Sequence, residues 1–269
     1  MRLRVVALGL AGCLPLAGCG GGGGASILAK DTLVAGVRPD LPGIGYRQRR
    51  GGGLEGLDVD VARAVAARMG KKVRIVPVLA RDRERLLRDR AVDMVLTFWV
   101  EPAWKERVAF AGPYYVSYQD ILVRADERRI RRVRDLEGRR LCAVMGAGAA
   151  GQVIDKWRIP AVPVSARSYD ECVAMLRSGD IDAISTNDTI LAGLKNREGE
   201  GFKLLNARVG ERRTGIGMRQ DDPGGCEAVN RAITQMYQDG TMPRLMRKWF
   251  GASGLDLSEV AVPQFEGCS

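Results

Sequence analysis

The sequence predicts an α/β protein in which helices cover both faces of mainly parallel sheet. Short apolar runs typical of strands alternate with segments typical of helices, and this alternation occurs in two successive series. Several of the segments end at glycine or proline. Strands that alternate with helices form parallel βαβ units. The roughly 250 residues that follow a predicted leader are enough for one large or two medium domains.

The first series begins with LVAGV (33–37), an apolar run that predicts a buried strand. LDVDVARAVAARMG (57–70) places Val61, Val65 and Met69 four residues apart, which predicts an amphipathic helix ending at a glycine. VRIVPVL (73–79) is a predicted strand, RERLLRD a short helix, and AVDMVLTF (91–98) a further strand.

The second series repeats this order. We expect strands at LCAVM (141–145), VPVS and DAIST, with helices at about 149–156, 168–179 and 188–195. The chain then runs through TGIGMRQ (214–220) into a helix bracketed by Pro223 and Gly240, and finishes with PRLMRKWFG.

The N-terminus has the pattern of a secretory leader. Two arginines precede an apolar run that is too short to span a bilayer, and LAGC follows. This tetrapeptide resembles the bacterial lipobox, in which the cysteine is acylated and becomes the first mature residue. We therefore expect a lipoprotein signal peptide over 1–18, a lipidated Cys19 and a glycine-rich tether over 19–29. A plain signal peptide and a buried strand are the alternatives.

Composition excludes several classes of site. The chain has no histidine, which removes Ser-His-Asp and Cys-His catalysis and histidine metal sites. No cofactor or metal is expected. The net charge of +10 is dispersed, and the two arginine-rich runs, 81–90 and 124–140, interleave acids with bases, so nucleic-acid binding is not expected. These runs are interpreted as solvated helix faces and loops.

The cysteines beyond Cys19 form an even set in an oxidising compartment, where pairing is the usual outcome. We favour Cys142 with Cys172 and Cys226 with Cys268, because each pair lies within one predicted domain.

Several motifs in fixed order resemble one family. EGLDVDVARAVAARMG, AVDMVLTF, RVAFAGPYY, LRSGDIDAISTND and QDGTMPRLMRKWFG are similar to segments of the extracellular solute-binding proteins of polar amino-acid ABC transporters. RPDLPGIGYR and LCAVMG…ECVAML are most similar to glutamate- and aspartate-type lipoproteins of high-GC Gram-positive bacteria. The resemblance spans residues 33–251.

The resemblance implies a two-lobed, periplasmic-binding-protein-like fold of type II, with two crossover strands and a central ligand cleft. Lobe 1 would comprise 30–117 and 214–269, and lobe 2 would comprise 118–213, with crossings near SYQDILV and RRTGIG. It also implies a monomer outside the cytoplasm, held to the outer face of the cell membrane by its lipid, with a small-molecule ligand and an ABC permease as partners.

The cleft positions implied by the family depart from its pattern in lobe 1. The arginine that holds the ligand's α-carboxylate corresponds to Trp104, six residues before Phe110, and Arg107 is the nearest substitute. Trp99 stands where the family has a small hydroxyl residue, and Thr97 is a further candidate contact. The stacking aromatic corresponds to Leu41.

Other implied positions vary in the same way. Tyr46 lies near the stacking position, and Arg38 occupies a position that often reads the ligand's side chain. The hydroxyl-bearing turn of lobe 2 is Gly146-Ala147-Gly148 after Met145, so Met145, Ala147 and Gly148 are the candidates there. The aspartate that pairs with the α-ammonium corresponds to Asn187, with Asp188 beside it.

These departures predict a largely apolar cleft, because Trp99, Trp104, Leu41, Met145 and Ala147 would face one another. Its ligand would be apolar, aromatic or cationic, or the rings would plug a cleft that binds nothing. We expect glutamate, aspartate and glutamine to bind no better than about millimolar, because loss of one partner of an enclosed charge pair costs about 3–5 kcal/mol. The alternative function is a sensor or accessory lipoprotein. Enzymatic activity, with Glu101 as acid or base, is not expected.

Overall fold

The computed structural model describes residues 26–48, 52–253, 255, 257 and 262–268. The predicted signal peptide, Cys19 and most of the tether lie outside these ranges. Within them, no helix is long and apolar enough to cross a membrane.

The described residues form strands and helices at most of the predicted places. The strands are β1 (Thr32–Val37), β2 (Asp40–Leu41), β3 (Gly45–Arg47), β4 (Leu54–Glu55), β5 (Lys72–Pro77), β6 (Met94–Trp99), β7 (Ala109–Arg124), β8 (Arg140–Val144), β9 (Val162–Ala166), β10 (Ile184–Asn187), β11 (Phe202–Leu204) and β12 (Val209–Met218). The helices are α1 (Leu57–Arg68), α2 (Arg83–Arg88), α3 (Pro102–Lys105), α4 (Ala149–Gly151), α5 (Tyr169–Ser178), α6 (Asp188–Glu198), α7 (Pro223–Gln238) and α8 (Thr241–Phe250). The helix expected at 149–156 begins as α4 and continues as a π-helix over Gln152–Lys156.

The predicted α/β class is confirmed. In the described residues the main sheet has the strand order β10-β7-β12-β6-β1-β5, with β11 also paired to β7. β1 runs parallel to β5 and β6, and β8 runs parallel to β9, as βαβ units require. β12 is antiparallel to both β6 and β7.

Two long strands, β7 and β12, connect the two halves of the molecule. The C-terminal part of β12, Thr214–Met218, pairs with β6, whereas the C-terminal part of β7, Gln119–Leu122, pairs with β10. We call β1–β6, α1–α3, α7 and α8 lobe 1, and β8–β11 and α4–α6 lobe 2. The two-lobed type II fold is therefore present, and β7 and β12 are its crossover strands.

The core follows the predicted periodicity. Val61 and Val65 of α1 are fully buried, and Met69 packs against the same cluster at the end of the helix. Lobe 2 has a separate apolar cluster, in which Leu141 of β8 packs with Val153.

Both predicted disulfides are present. Cys142 of β8 is joined to Cys172 of α5 within lobe 2, with a Cα–Cα distance of 5.8 Å. Cys226 of α7 is joined to Cys268, which fixes the described C-terminal segment to lobe 1.

Candidate ligand-binding cleft

One face of the crossover strands lies between the lobes and carries polar side chains. Thr214 of β12 is paired with Trp99 of β6 on one side and with Tyr115 of β7 on the other. Directly paired residues and residues two apart on a strand point to the same side of a sheet. Arg212 and Gln119 therefore share this side, and Arg212 Nη2 donates to Gln119 Oε1 at 3.0 Å. We call Trp99, Tyr115, Gln119, Arg212 and Thr214 the hinge face.

Lobe 2 contacts the hinge face directly. Asn187 Nδ2 donates to Thr214 Oγ1 at 3.5 Å, and Gln119 Nε2 donates to Ser185 Oγ at 2.9 Å. The Trp99 ring lies 4.0 Å from the point where a Cβ at Gly148 would stand. The candidate residues Trp99, Gly148 and Asn187 are therefore brought together at the boundary between the lobes.

Several buried polar atoms at this boundary have no hydrogen-bond partner. They are Tyr115 Oη, Asn187 Oδ1, Thr189 Oγ1 and Arg212 Nε. The hydroxyls of Thr189 and Thr214 lie close enough to lower the pKa of Tyr115, although neither forms a hydrogen bond of normal geometry with it. Burial outweighs them and raises that pKa, so Tyr115 is a neutral phenol. Unsatisfied buried polar groups are costly, and they gather here from both lobes.

Arg212 is the cation of the hinge face. Its side chain is only 10% exposed, and its guanidinium carbon lies 4.9 Å from the centre of the Trp99 ring. Nη1 lies 3.9 Å from Glu101 Oε1, which also accepts a hydrogen bond from Gln152 of lobe 2 at 2.8 Å. Burial lowers the pKa of Arg212, and the charge of Glu101 acts against that shift.

A second polar group contains the candidate Arg38. This side chain is buried and makes a bidentate ion pair with Asp40, with Nε to Oδ1 at 2.8 Å and Nη2 to Oδ2 at 2.7 Å. Tyr169 of lobe 2 lies near enough for both charges to affect its pKa, which burial raises. The Tyr169 hydroxyl donates to Thr186 Oγ1 at 2.7 Å. Arg38 therefore lies at the boundary between the lobes, already paired with a carboxylate.

Arg83 is a further buried arginine in this group. It donates to three backbone carbonyls: Ala80 at 3.0 Å, Thr97 at 2.7 Å and Gly146 of lobe 2 at 3.0 Å. Burial and the charge of Arg38 lower the pKa of Arg83 to about 9, so it remains a cation at neutral pH. The interpretation of the run 81–90 as a solvated face is wrong at Arg83. This guanidinium is buried and donates a hydrogen bond to Gly146 of lobe 2.

Thr97 has its side chain directed to a buried carboxylate. Thr97 Oγ1 donates to Asp58, whose other oxygen accepts from the Tyr114 hydroxyl at 2.6 Å. Its φ of 52° is a conformation that β-branched residues rarely adopt. Such residues concentrate at functional sites, and in this conformation the Thr97 carbonyl accepts from Arg83.

The lobes are in contact across the cleft. Besides the bonds of Arg83 and Glu101, the Arg197 guanidinium of α6 lies 5.3 Å from the centre of the Tyr46 ring. Gly193 of α6 lies so close to the backbone of Pro42 that there is no room for a side chain. The structure is therefore a closed conformation, and the candidate Tyr46 contributes to the closure.

Of the residues of the apolar lining expected from the sequence, Trp104 lies away from the boundary between the lobes. Trp104 packs edge-on against Phe98 at 5.1 Å in an apolar cluster of lobe 1. Leu41 is fully buried in the main core, Met145 is 46% exposed, and Ala147 packs partly against that core. Leu41 and Ala147 both contact an apolar cluster that contains residues of the two lobes, and Met145 lies on an exposed turn, so the apolar lining remains a prediction except at Trp104.

Arg107 does not replace the missing arginine. Its guanidinium lies 4.8 Å from the centre of the Trp104 ring, and it pairs with Glu84 at 3.7 Å on an exposed surface.

Sequence reasoning missed Arg83, Arg212, Tyr115 and Thr189. Arg212 and Arg213 are adjacent arginines, and only strand pairing shows which of them faces the cleft. Alternation along β12 could have indicated that one of the two was buried. In the described residues, no group of three acidic or cysteine side chains could hold a metal ion.

Known proteins resemble this chain in sequence and in fold. The chain is 34% identical over 255 residues to the glutamate-binding protein GluB of Corynebacterium glutamicum, covering 89% of this chain and 85% of that protein. It is 26% identical over 230 residues to the ABC transporter glutamine-binding protein GlnH of Bacillus subtilis, covering 84% and 83%.

A solved structure, that of an ancestral arginine-binding protein bound to glutamine, matches with a TM-score of 0.75 and 27% identity, covering 82% of this chain and 99% of that one. The profile described as bacterial extracellular solute-binding proteins, family 3, matches residues 33–252. This match covers most of the chain, which therefore belongs to the bacterial extracellular solute-binding proteins of family 3.

Proposed function

We propose that this protein is the lipid-anchored binding component of an ABC importer and that it carries a polar or acidic amino acid, glutamate in the first place. The names of the relatives, which are glutamate- and glutamine-binding proteins, support the ligand class. The single observation that carries the proposal is the set of unsatisfied buried polar atoms on and around the hinge face, contributed by both lobes. A ligand enclosed between the lobes would satisfy them.

The buried guanidinium of Arg212, with its unpaired Nε, favours an anion at the hinge face. The arginines at the boundary are Arg38, Arg83 and Arg212, and the acids are Asp40, Glu101 and the buried Asp188, whose charge acts on Tyr115. Burial raises the pKa of Asp58 to about 7, so this acid is about half ionised at neutral pH. A buried positive charge gains from a carboxylate and repels a cation. We therefore propose an anionic group of the ligand at Arg212, in place of the apolar, aromatic or cationic ligand expected from the sequence.

A second candidate is a carboxylate ligand without an α-ammonium group. Asn187 is neutral at the position where the resemblance places an aspartate, and it is fully buried with its carbonyl oxygen unpaired. The neutral amide oxygen of Asn187 can accept a hydrogen bond from an ammonium group, but it cannot neutralise the charge of that group. The cleft would then be altered for a non-amino-acid anion. An aromatic carboxylate belongs to the same candidate, because Trp99 offers a ring at the boundary.

Attachment through Cys19 is the second part of the proposal. LAGC at 16–19 and the five following glycines support a lipid anchor with a flexible tether. The alternative of a sensor or accessory lipoprotein has no support among the relatives, whose names describe binding proteins.

Titration calorimetry of the full chain in detergent tests the ligand class. The panel is the set of standard amino acids, together with glutarate and benzoate as carboxylates that lack an α-ammonium group. We expect glutamate or another polar amino acid to bind in the micromolar range, and this proposal replaces the millimolar limit expected from the sequence. If glutarate binds and glutamate does not, the second candidate is correct. If arginine or lysine alone binds, the charge argument is wrong.

A further inference from the structure

We propose that Arg212, on the second crossover strand, is the residue that binds the α-carboxylate group of the ligand. This inference deepens the proposed function and rests on it. It assigns to the hinge the role that an arginine on α3 would otherwise have, because position 104 is a tryptophan packed into lobe 1.

The position of Arg212 is suited to this role. Its side chain is on the same side of the sheet as Trp99, Tyr115 and Thr214, and this side faces lobe 2. Trp99 covers one side of the guanidinium at 4.9 Å. An arginine that stacks on an aromatic ring keeps its N–H donors at the edge of its plane, where a carboxylate can bind with two parallel hydrogen bonds.

The hydrogen bonds of Arg212 leave a donor for a ligand. Nη2 donates to Gln119, and Nη1 lies 3.9 Å from Glu101, but Nε is buried without a partner. A buried N–H that makes no hydrogen bond is costly, and a carboxylate oxygen is a strong acceptor for it. The unpaired Nε therefore indicates where the carboxylate would bind.

The neighbours of Arg212 hold it in place before the ligand arrives. The Gln119 amide that accepts from Arg212 donates in turn to the Ala149 carbonyl at 3.0 Å and to Ser185 at 2.9 Å. Glu101 shares its carboxylate with Gln152 of lobe 2, which leaves it 3.9 Å from the guanidinium. A fixed guanidinium loses little conformational entropy when it binds an anion.

The same arrangement explains why two tryptophans appear in one short segment. Trp99 provides the surface on which Arg212 stacks, whereas Trp104 fills the lobe 1 cluster beside Phe98. An arginine at position 104 would not fill the lobe 1 cluster as Trp104 does. In the proposed arrangement, Arg212 on the hinge face provides the positive charge for the carboxylate.

The test compares Arg212→Met and Arg212→Lys with the unmodified full chain in detergent. Arg213→Gln is the matched control, because this substitution also removes one positive charge from β12. Arg213 makes an ion pair with Glu266 and does not lie on the hinge face. The probes are L-glutamate and L-glutamine, each compared with its α-amide by titration calorimetry. Thermal unfolding of every variant confirms that it is folded.

We expect Arg212→Met to bind the free amino acids roughly 100-fold more weakly, and Arg212→Lys to be intermediate. The preference for the free α-carboxylate over the α-amide should disappear in Arg212→Met, which a purely structural role would not cause. Arg213→Gln should bind as the unmodified protein does.

The inference is overturned if the unmodified protein binds the probes and Arg212→Met keeps both its affinity and its preference for the carboxylate. The proposed function then stands. If the unmodified protein binds neither amino acid at millimolar concentration, the proposed amino-acid ligand and the inference fail together.

Discussion

Substitution of Gly193 by alanine tests whether closure of the lobes is coupled to ligand binding. Gly193 lies in the middle of α6, where alanine stabilises a helix by about 1 kcal/mol relative to glycine. In the closed structure, however, a Cβ there would lie 2.7 Å from the Pro42 carbonyl carbon and closer still to its oxygen. Both are backbone atoms, so no side-chain movement relieves the overlap.

The cost of the substitution follows from the contacts that hold the lobes together. Relieving the overlap requires roughly 1 Å of separation between α6 and Pro42. Opening by that amount stretches the bonds of Arg83 to Gly146 (3.0 Å) and of Gln152 to Glu101 (2.8 Å) beyond hydrogen-bonding distance. Each such bond contributes about 0.5–1.5 kcal/mol, so closure loses about 1–3 kcal/mol. The apparent affinity should fall by roughly 5- to 150-fold.

The assay combines titration calorimetry with small-angle X-ray scattering of Gly193→Ala. The variant should bind more weakly than the unmodified protein and contract less when ligand is added. Gly224→Ala is the matched control, because that glycine is also in a helix and its added Cβ would meet only Leu28, at an ordinary distance of 3.6 Å. Unchanged affinity in Gly193→Ala would refute the coupling of closure to binding.

Other predictions concern stability, pH and attachment. Replacing Cys142 and Cys172 together by alanine should lower the free energy of unfolding by about 3–4 kcal/mol in urea titrations, because that disulfide closes a loop over a sequence separation of 30; a smaller loss than 1 kcal/mol would contradict this. Burial raises the pKa of Asp58 from 3.8 to about 7, so the folded protein binds this proton more tightly than the unfolded chain does. The contribution of Asp58 to the free energy of unfolding should therefore decline by about 4 kcal/mol as the pH rises from about 4 to 7. Asp58→Asn should lack that decline in urea titrations across this range, and equal slopes for both proteins would contradict it. Substituting Cys19→Ala should release the protein from the membrane fraction with its circular dichroism unchanged, and retention on the membrane would contradict lipid attachment.

The fold was largely predictable because its elements depend on local patterns. The spacing of Val61 and Val65 marks α1, and Pro223 and Gly240 bracket α7. The disulfide partners followed from the assignment of cysteines to lobes. The switch from α4 to a π-helix was not predictable, since no periodicity distinguishes so short a change.

The cleft was less predictable because it is assembled from strands far apart in the sequence. Trp99 and Asn187 were placed at the boundary by resemblance, and the structure brings them there. The sequence does not show which of Arg212 and Arg213 faces the cleft, because this depends on the register of β12 against β7. Trp104 was expected in the cleft because it aligns with a ligand-binding position of the family. In the structure it packs into an apolar cluster of lobe 1.

The central claim is that the ligand binds on the hinge face, between the lobes. A single-tryptophan protein with Trp104, Trp157 and Trp249 replaced by phenylalanine leaves Trp99 as the only tryptophan, and the matched protein keeps Trp104 alone. Trp99 is only 8% exposed and contacts Arg212, so a bound carboxylate changes its surroundings directly. Titration of L-glutamate, or of the tightest ligand found by calorimetry, should give a saturable change in Trp99 emission at the calorimetric affinity, and little change in Trp104 emission. Calorimetric binding with no response from Trp99 would contradict the claim.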